Sequence, residues 1–456
     1  MREESNGFKG RSPQTAGPGG LPPYTAGLVD RQRWLRGLLV CLSLSANAWA
    51  TEESGLGSMV SAGSDWLKLD TSLRGAYWSS DRSLDNYANL GSASLWLRAQ
   101  PELGKNISAK LEGWVYDQGV FSGVNPQFEL REAFLSARYD RCDWFVGRKI
   151  VVWGRADQIN PTDNISSRDL TLLFPEDDDQ RRGNFMVSGN YYLTGQNTVS
   201  VNWLPEFRPN IIPIGKTAGV TDLGQYLPTN FAQFAVKYDH SGSGVDWSVS
   251  YFDGIDRTPD LALAGASQAS VAFIRRYHRI HSFGMDMATN VGKYGLRGEI
   301  VYTLTQDTNG DNPEIKNPFL FAVVGGDRSF FQYLNVNMQY IFRYTQSFQN
   351  PNSIHNTALH GIDVANNLVS FQTSEFLHGL SLRVNYLWLN ETVETGLTGI
   401  VFFNGGDFVV RPRITYKATD KLRISVGGDY YSGSLDTVLG RLKDNSTALV
   451  ELRYGF

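Results

Sequence analysis

The sequence predicts an all-β fold, a transmembrane antiparallel β-barrel, and three observations predict it. The 456 residues include 46 Gly, 21 Tyr, 25 Phe and 11 Trp, a composition of turns and strands. Mean hydropathy is −0.28, and no stretch reaches the ~20 consecutive apolar residues of a spanning helix. Segments of about ten residues alternate apolar with polar, which suffices for a barrel because the lipid-facing half of each strand alone has to be apolar.

At the N-terminus, residues 1–30 read as a Gly- and Pro-rich extension lying upstream of a secretory signal. Arg31, Arg33 and Arg36 form a basic region, Gly37 to Ser45 an apolar one, and Ala48-Trp49-Ala50 a cleavage site, so the mature chain is expected to start at Thr51. Residues 51–65 read as a periplasmic leader and 66–456 as the barrel. Residues 1–50 carry six of the 42 basic and three of the 46 acidic residues, which leaves the mature chain at −7 and makes it a poor nucleic-acid binder. Cys41 leaves with the signal, and Cys142 alone cannot form an internal disulfide.

The period-2 pattern is clearest in the C-terminal half. Leu296, Gly298, Ile300, Tyr302 and Leu304 alternate with Arg297, Glu299, Val301, Thr303 and Thr305. Leu334 to Tyr344 repeats this against Asn335, Asn337, Gln339 and Arg343. Val410 to Tyr416 does so against Arg411, Arg413, Thr415 and Lys417. A soluble sandwich or propeller would alternate too. Aromatics at strand ends (Tyr77 and Trp78, Trp114 and Tyr116, Trp153, Tyr191 and Tyr192, Trp388, Tyr430 and Tyr431) favour a lipid-facing barrel with interfacial girdles. Short connections at Asp140-Arg141, Thr194-Gly195-Gln196 and Ala418-Thr419-Asp420 alternate with long polar ones, as periplasmic turns alternate with outer loops. The count is about eighteen strands, with sixteen as the alternative, and both termini periplasmic. The last segment puts Ala448, Val450, Leu452, Tyr454 and Phe456 on one face, and resembles the C-terminal aromatic signal, here Tyr454 and Phe456, by which outer-membrane barrels are recognised for insertion.

One stretch is too particular to be filler. It runs Gly147-Arg148-Lys149-Ile150-Val151-Val152-Trp153-Gly154, then Asn160-Pro161-Thr162-Asp163, and ends on the charged run Glu176 to Arg182. It resembles a family of outer-membrane barrels that carry a G-R-x-x-V-x-W-G strand and an N-P-x-D loop, and more distantly barrels that export acidic polysaccharide. The resemblance implies transport and names no solute. Read from the residues, Arg155 to Arg182 is a long loop. Its Arg155, Asp157, Asp163, Arg168 and Asp169 either pair with lumen residues and constrict the barrel or form a solvated surface. Parity puts Arg148, Arg297, Glu299, Arg343, Arg383, Arg411, Arg413 and Arg423 in the lumen, with Arg74, Arg98, Lys110 and Arg453. Rings of Arg and Lys favour anions, although arginines that pair with lumen acids would merely brace the wall.

The function expected is a porin-like outer-membrane conduit, passive or substrate-specific, favouring anionic solutes. The alternative is a structural or interaction barrel: an adhesin, an envelope-assembly component or a partner of a periplasmic system. An enzyme is not expected: no metalloprotease, nucleophile-elbow or phosphate-loop motif occurs, and the six histidines are scattered over turns, loops and opposite strand faces. Expected partners are outer-membrane lipids and the barrel-insertion machinery, with no cofactor, no metal and no nucleic acid; the oligomeric state stays open.

Overall fold

Eighteen antiparallel strands close into one barrel in the computed structural model, which describes residues 66–80 and 89–456, less 122, 124, 173–175, 216–217, 230–231 and 268. The extension, signal peptide and leader read from residues 1–65 lie outside the described residues. In chain order the strands are β1 (Asp70–Ser80), β2 (Asn89–Ala99), β3 (Ile107–Asp117), β4 (Gln127–Tyr139), β5 (Cys142–Lys149) and β6 (Asn184–Tyr192). There follow β7 (Asn197–Leu204), β8 (Gln233–His240), β9 (Val245–Ile255), β10 (Arg279–Val291), β11 (Tyr294–Leu304) and β12 (Phe319–Phe330). The last six are β13 (Leu334–Thr345), β14 (Phe376–Trp388), β15 (Val393–Phe402), β16 (Asp407–Lys417), β17 (Leu422–Ser432) and β18 (Thr447–Gly455). Each pairs with its sequence neighbour, and β18 returns to β1 from Ser72↔Gly455 to Ser80↔Thr447, so no edge is left open.

The alternation does what the sequence predicts. On β11 Leu296 and Ile300 are exposed, whereas Glu299, Val301 and Thr303 are buried; on β13 Met338 and Tyr340 are exposed, whereas Asn337, Gln339, Ile341 and Arg343 are buried. An apolar outer face suits lipid, and a polar inner face keeps its hydrogen bonds inside the barrel. The aromatic girdle needs one correction. Tyr77, Tyr191, Trp388 and Tyr430 are exposed outside, but Trp78, Trp114 and Trp153 are buried within. The period of two sends Trp78 inward beside the outward Tyr77, Trp114 shares the inner face with Tyr116 two residues on, and Trp153 belongs to the inward loop rather than to a strand.

Seven short connections (140–141, 193–196, 241–244, 292–293, 331–333, 389–392 and 418–421) lie at one end of the barrel and most of the long ones at the other. The start of β1 and the end of β18 are both at the short-turn end. The long-loop end holds two features that the period-2 alternation does not foretell. Val220–Tyr226, Asp260–Ala266 and Val271–Arg276 form a separate three-stranded sheet, partly parallel. Beside it lies a helix, Thr357–Val369, capped by the Asn356 side chain, which accepts from Ala358 N and Leu359 N. Buried Asn366 of that helix accepts from Leu261 N at 2.7 Å and donates to Leu261 O at 2.9 Å. Lys316, also buried, reaches Asp256 at 2.9 Å and Asp260 at 3.2 Å, so three loops of this end are tied by satisfied polar contacts.

Candidate functional site

The loop between β5 and β6, residues 150–183, folds into the barrel, and an apolar anchor holds it there. Trp153 and Ile165 pack with Met186, Leu204, Ala235, Phe252 and Ile280, one inward residue from each of β6 to β10. Two contacts shape the entry. Gly147, at φ +130°, crosses close to the Ala133 carbonyl, and Gly154, at φ +96°, leaves room for the Glu299 carboxylate where a Cβ would overlap it. The two limbs are joined at Ser166, whose hydroxyl accepts from Val151 N and donates to Val151 O, both at 2.8 Å.

Beyond the anchor the loop follows the wall. Arg155 pairs with Asp286 on β10, and with Asp239 on β8 at 3.0 Å. Glu299 on β11 accepts from Ala156 N at 2.5 Å, from Thr162 N at 3.3 Å and from Thr162 Oγ1 at 3.0 Å, so one carboxylate holds both sides of the loop tip. Asp157 accepts from Asn337 Nδ2 at 2.8 Å, and stands 3.4 Å from Arg297 and 4.0 Å from Arg383. Ile159 packs into a second cluster that includes Ile341, Leu377, Phe402 and Val409. Asp163 pairs with Arg181 and with Arg168 at 3.2 Å, and Asp169 accepts from Thr171 N at 3.0 Å. These last three candidates are therefore committed within the loop itself.

The far limb crosses to the closure seam. Glu176 meets Arg453 of β18 at 2.8 Å, and Asp179 pairs with Arg74 of β1. Arg131 of β4 donates to Asp178 O at 2.5 Å and to Arg181 O at 3.2 Å. Arg131 is the extra residue of a bulge opposite Glu112 and Gly113, which turns it inward beside Glu132. Sequence parity cannot see it, because a bulge breaks the alternation on which parity rests.

The remaining candidates divide. Arg148 shares its rung with Ala133 and the exposed Phe185, and pairs with Glu206 at 2.7 Å, so it lies on the outward face rather than in the lumen. The outward set Trp144, Val146 continues through it. Arg343 is buried over the Phe319 ring at 3.6 Å, near the long-loop end. Arg411 donates to Tyr431 Oη at 3.2 Å and stands 3.6 Å from Asp429. Arg411, Arg413 and Lys417 share the inner face of β16, since Ile414 and Tyr416 are exposed outside. Lys417 was readable from the same alternation. Register then carries the row across strands: Lys417↔Arg423, Arg423↔Arg453 and Arg453↔Arg74. A cavity of about 600 Å³ opens onto this row, lined by Arg74, Trp96, Arg98, Arg423 and Arg453 on the wall and by Glu176, Asp178 and Asp179 of the loop. Among the described residues no three His, Cys, Asp or Glu side chains gather as metal ligands.

A family model described as "Protein of unknown function (DUF1302)" matches residues 106–456. No curated protein matches the chain. Among solved structures, OccK11 (OpdR) of Pseudomonas aeruginosa is similar at 11% identity and TM-score 0.51, over 86% of this chain and 97% of its own. OccAB3 of Acinetobacter baumannii is similar at 10% identity and TM-score 0.51, over 85% and 98%. The outer membrane channel DcaP of Acinetobacter baumannii aligns at 12% identity and TM-score 0.43, over 85% and 96%. The OccK11 and OccAB3 likenesses carry the fold, a porin-like barrel.

Proposed function

We propose, from the premise that this chain belongs to the family described as protein of unknown function (DUF1302), that it is a passive outer-membrane channel that prefers anionic solutes. One observation carries the reading. The inward loop packs along β6 to β14 and reaches the seam, while the inner faces of β16 and β17 present Arg411, Arg413, Lys417 and Arg423 against Asp407 and Asp429. Solutes pass between that wall and the loop, and excess cations in a confined, weakly screened pore lower the barrier for anions. Asp286 and Asp239 do not offset this, because Arg155 and Lys237 pair with them. Arg155, Asp163, Arg168 and Asp169 shape the constriction, and Asp157 tempers its charge. The short-turn end and both termini face the periplasm, and the barrel-insertion machinery reads Tyr454 and Phe456.

The experiment is single-channel recording of the refolded protein in a planar bilayer under a KCl gradient. The reversal potential should show anion preference. Deleting Ala156 to Gln180 should raise conductance and strengthen that preference together, because a constriction and its carboxylates leave at once. A silent bilayer, or a deletion that inserts normally with both values unchanged, would overturn the reading.

A further inference from the structure

Four inward cations stand on one rung of adjacent strands: Lys417 on β16, Arg423 on β17, Arg453 on β18 and Arg74 on β1. Directly opposed residues on neighbouring strands have Cβ atoms about 4.5–5.5 Å apart, and like charges so placed destabilise a sheet. The loop relieves half of the row: Glu176 reaches Arg453 and Asp179 reaches Arg74. The other half is left. Among the described residues neither Lys417 nor Arg423 has an ion pair, and Arg423, with Lys417 beside it in register but outside the lining, borders the cavity of about 600 Å³, a volume in the range of small-molecule sites. Glu394, an inward acid on β15, stands opposite Thr415, one inward step from Lys417, and makes no ion pair with it. Asp420 also lines the cavity, but its neighbour in the turn is Lys421, a further lining cation.

We infer that Lys417 and Arg423, at the short-turn end of the barrel, form a binding site for a compact divalent oxyanion. The charge count selects the class. A planar guanidinium and a point-charge ammonium are opposed on one rung, and a group carrying two charges compensates both where a monovalent anion leaves one uncompensated. The inference names the solute class of the proposed channel and rests on that reading for the route by which the anion arrives. Binding itself is measured without conduction.

The probe is inorganic phosphate, titrated calorimetrically into the full chain refolded in detergent, with chloride and acetate as monovalent comparators. Phosphate should bind saturably and more tightly than either. The double variant Lys417→Gln, Arg423→Gln should weaken phosphate binding by about tenfold or more, each lost charge-assisted contact contributing. The conservative pair Lys417→Arg, Arg423→Lys should retain binding, and heat-modifiable gel migration shows that each variant folds. Glu176→Gln, which frees Arg453 to join the site, should tighten binding. Absent saturable binding to the wild-type chain, equal affinity in the folded Gln variant, or weaker binding in Glu176→Gln would each overturn the site. If phosphate binds but the bilayer is silent, the site stands and the channel falls; if current flows without phosphate binding, the reverse holds.

Discussion

Gly154 stands where the backbone of the inward loop meets the Glu299 carboxylate, and its φ of +96° is one that L residues rarely adopt. Gly154→Ala adds both overlap and backbone strain, of order ~1–3 kcal/mol for the strain. Trp153→Ala removes the largest side chain of the anchor and should cost ~3–5 kcal/mol. In both variants trypsin should cut at Arg155 or Arg168 sooner than in the wild type; unchanged cleavage would mean that the anchor does not hold the loop. Asp157→Asn acts differently, since Glu299 and Trp153 still seat the loop. It takes one negative charge from between Arg297 and Arg383, so the reversal potential should move toward stronger anion preference at similar conductance.

Among the elements, the helix Thr357–Val369 carries a pH dependence of its own. Burial pushes the Asp363 carboxyl up to about 6, against the opposing pull of His360 and a hydrogen bond from Asn367. An unfolded aspartate titrates near ~3.9, so the folded helix holds this proton more tightly and loses stability as pH rises from about 4 through about 6. Amide exchange of the helix should accelerate across that window, and Asp363→Asn should flatten the change. This helix was hidden in the sequence because its Asn and His residues look like loop, and its apolar partners, Leu261 and Phe273, come from another connection. The parallel pair of Val220–Tyr226 with Val271–Arg276 was hidden for a similar reason, joining segments some fifty residues apart. By contrast β11, β13 and β16 were legible residue by residue, because water on one side and lipid on the other write a period of two into the chain. The long loop was legible as a loop, while its inward course was not: Trp153 and Ile165 find their partners on five different strands. Parity alone puts Arg148 inward, whereas the outward set of β5 runs Trp144, Val146, Arg148.

Across the whole barrel, lipid exposure sets tolerance. Ile300→Arg and Met338→Arg, on exposed outer positions, should each cost ~2–4 kcal/mol near the midplane. Asn335→Arg, inward and near the turn end, should cost far less. Urea unfolding in lipid bilayers checks this, and equal losses at all three positions would contradict the assignment of faces. The C-terminus closes the same surface: Phe456 N donates to Thr71 O at 3.1 Å, and the Phe456 ring stacks on Tyr454 with centroids 6.0 Å apart. Phe456→Ala should lower the folded, heat-modifiable fraction in outer-membrane preparations.

The seam also implies an order of events. Arg74 and Arg453 oppose each other where the first strand must zip to the last, and the two acids that separate their charges come from the middle of the chain. A nascent sheet that tried to close with its lumen empty would bring two guanidinium groups together without Glu176 and Asp179 beside them. The loop is therefore expected to enter before the strands join, as an internal template in the last step of biogenesis. Glu176→Gln with Asp179→Asn should slow closure in refolding experiments, and should leave an open-sheet intermediate that proteases detect before the mature barrel appears.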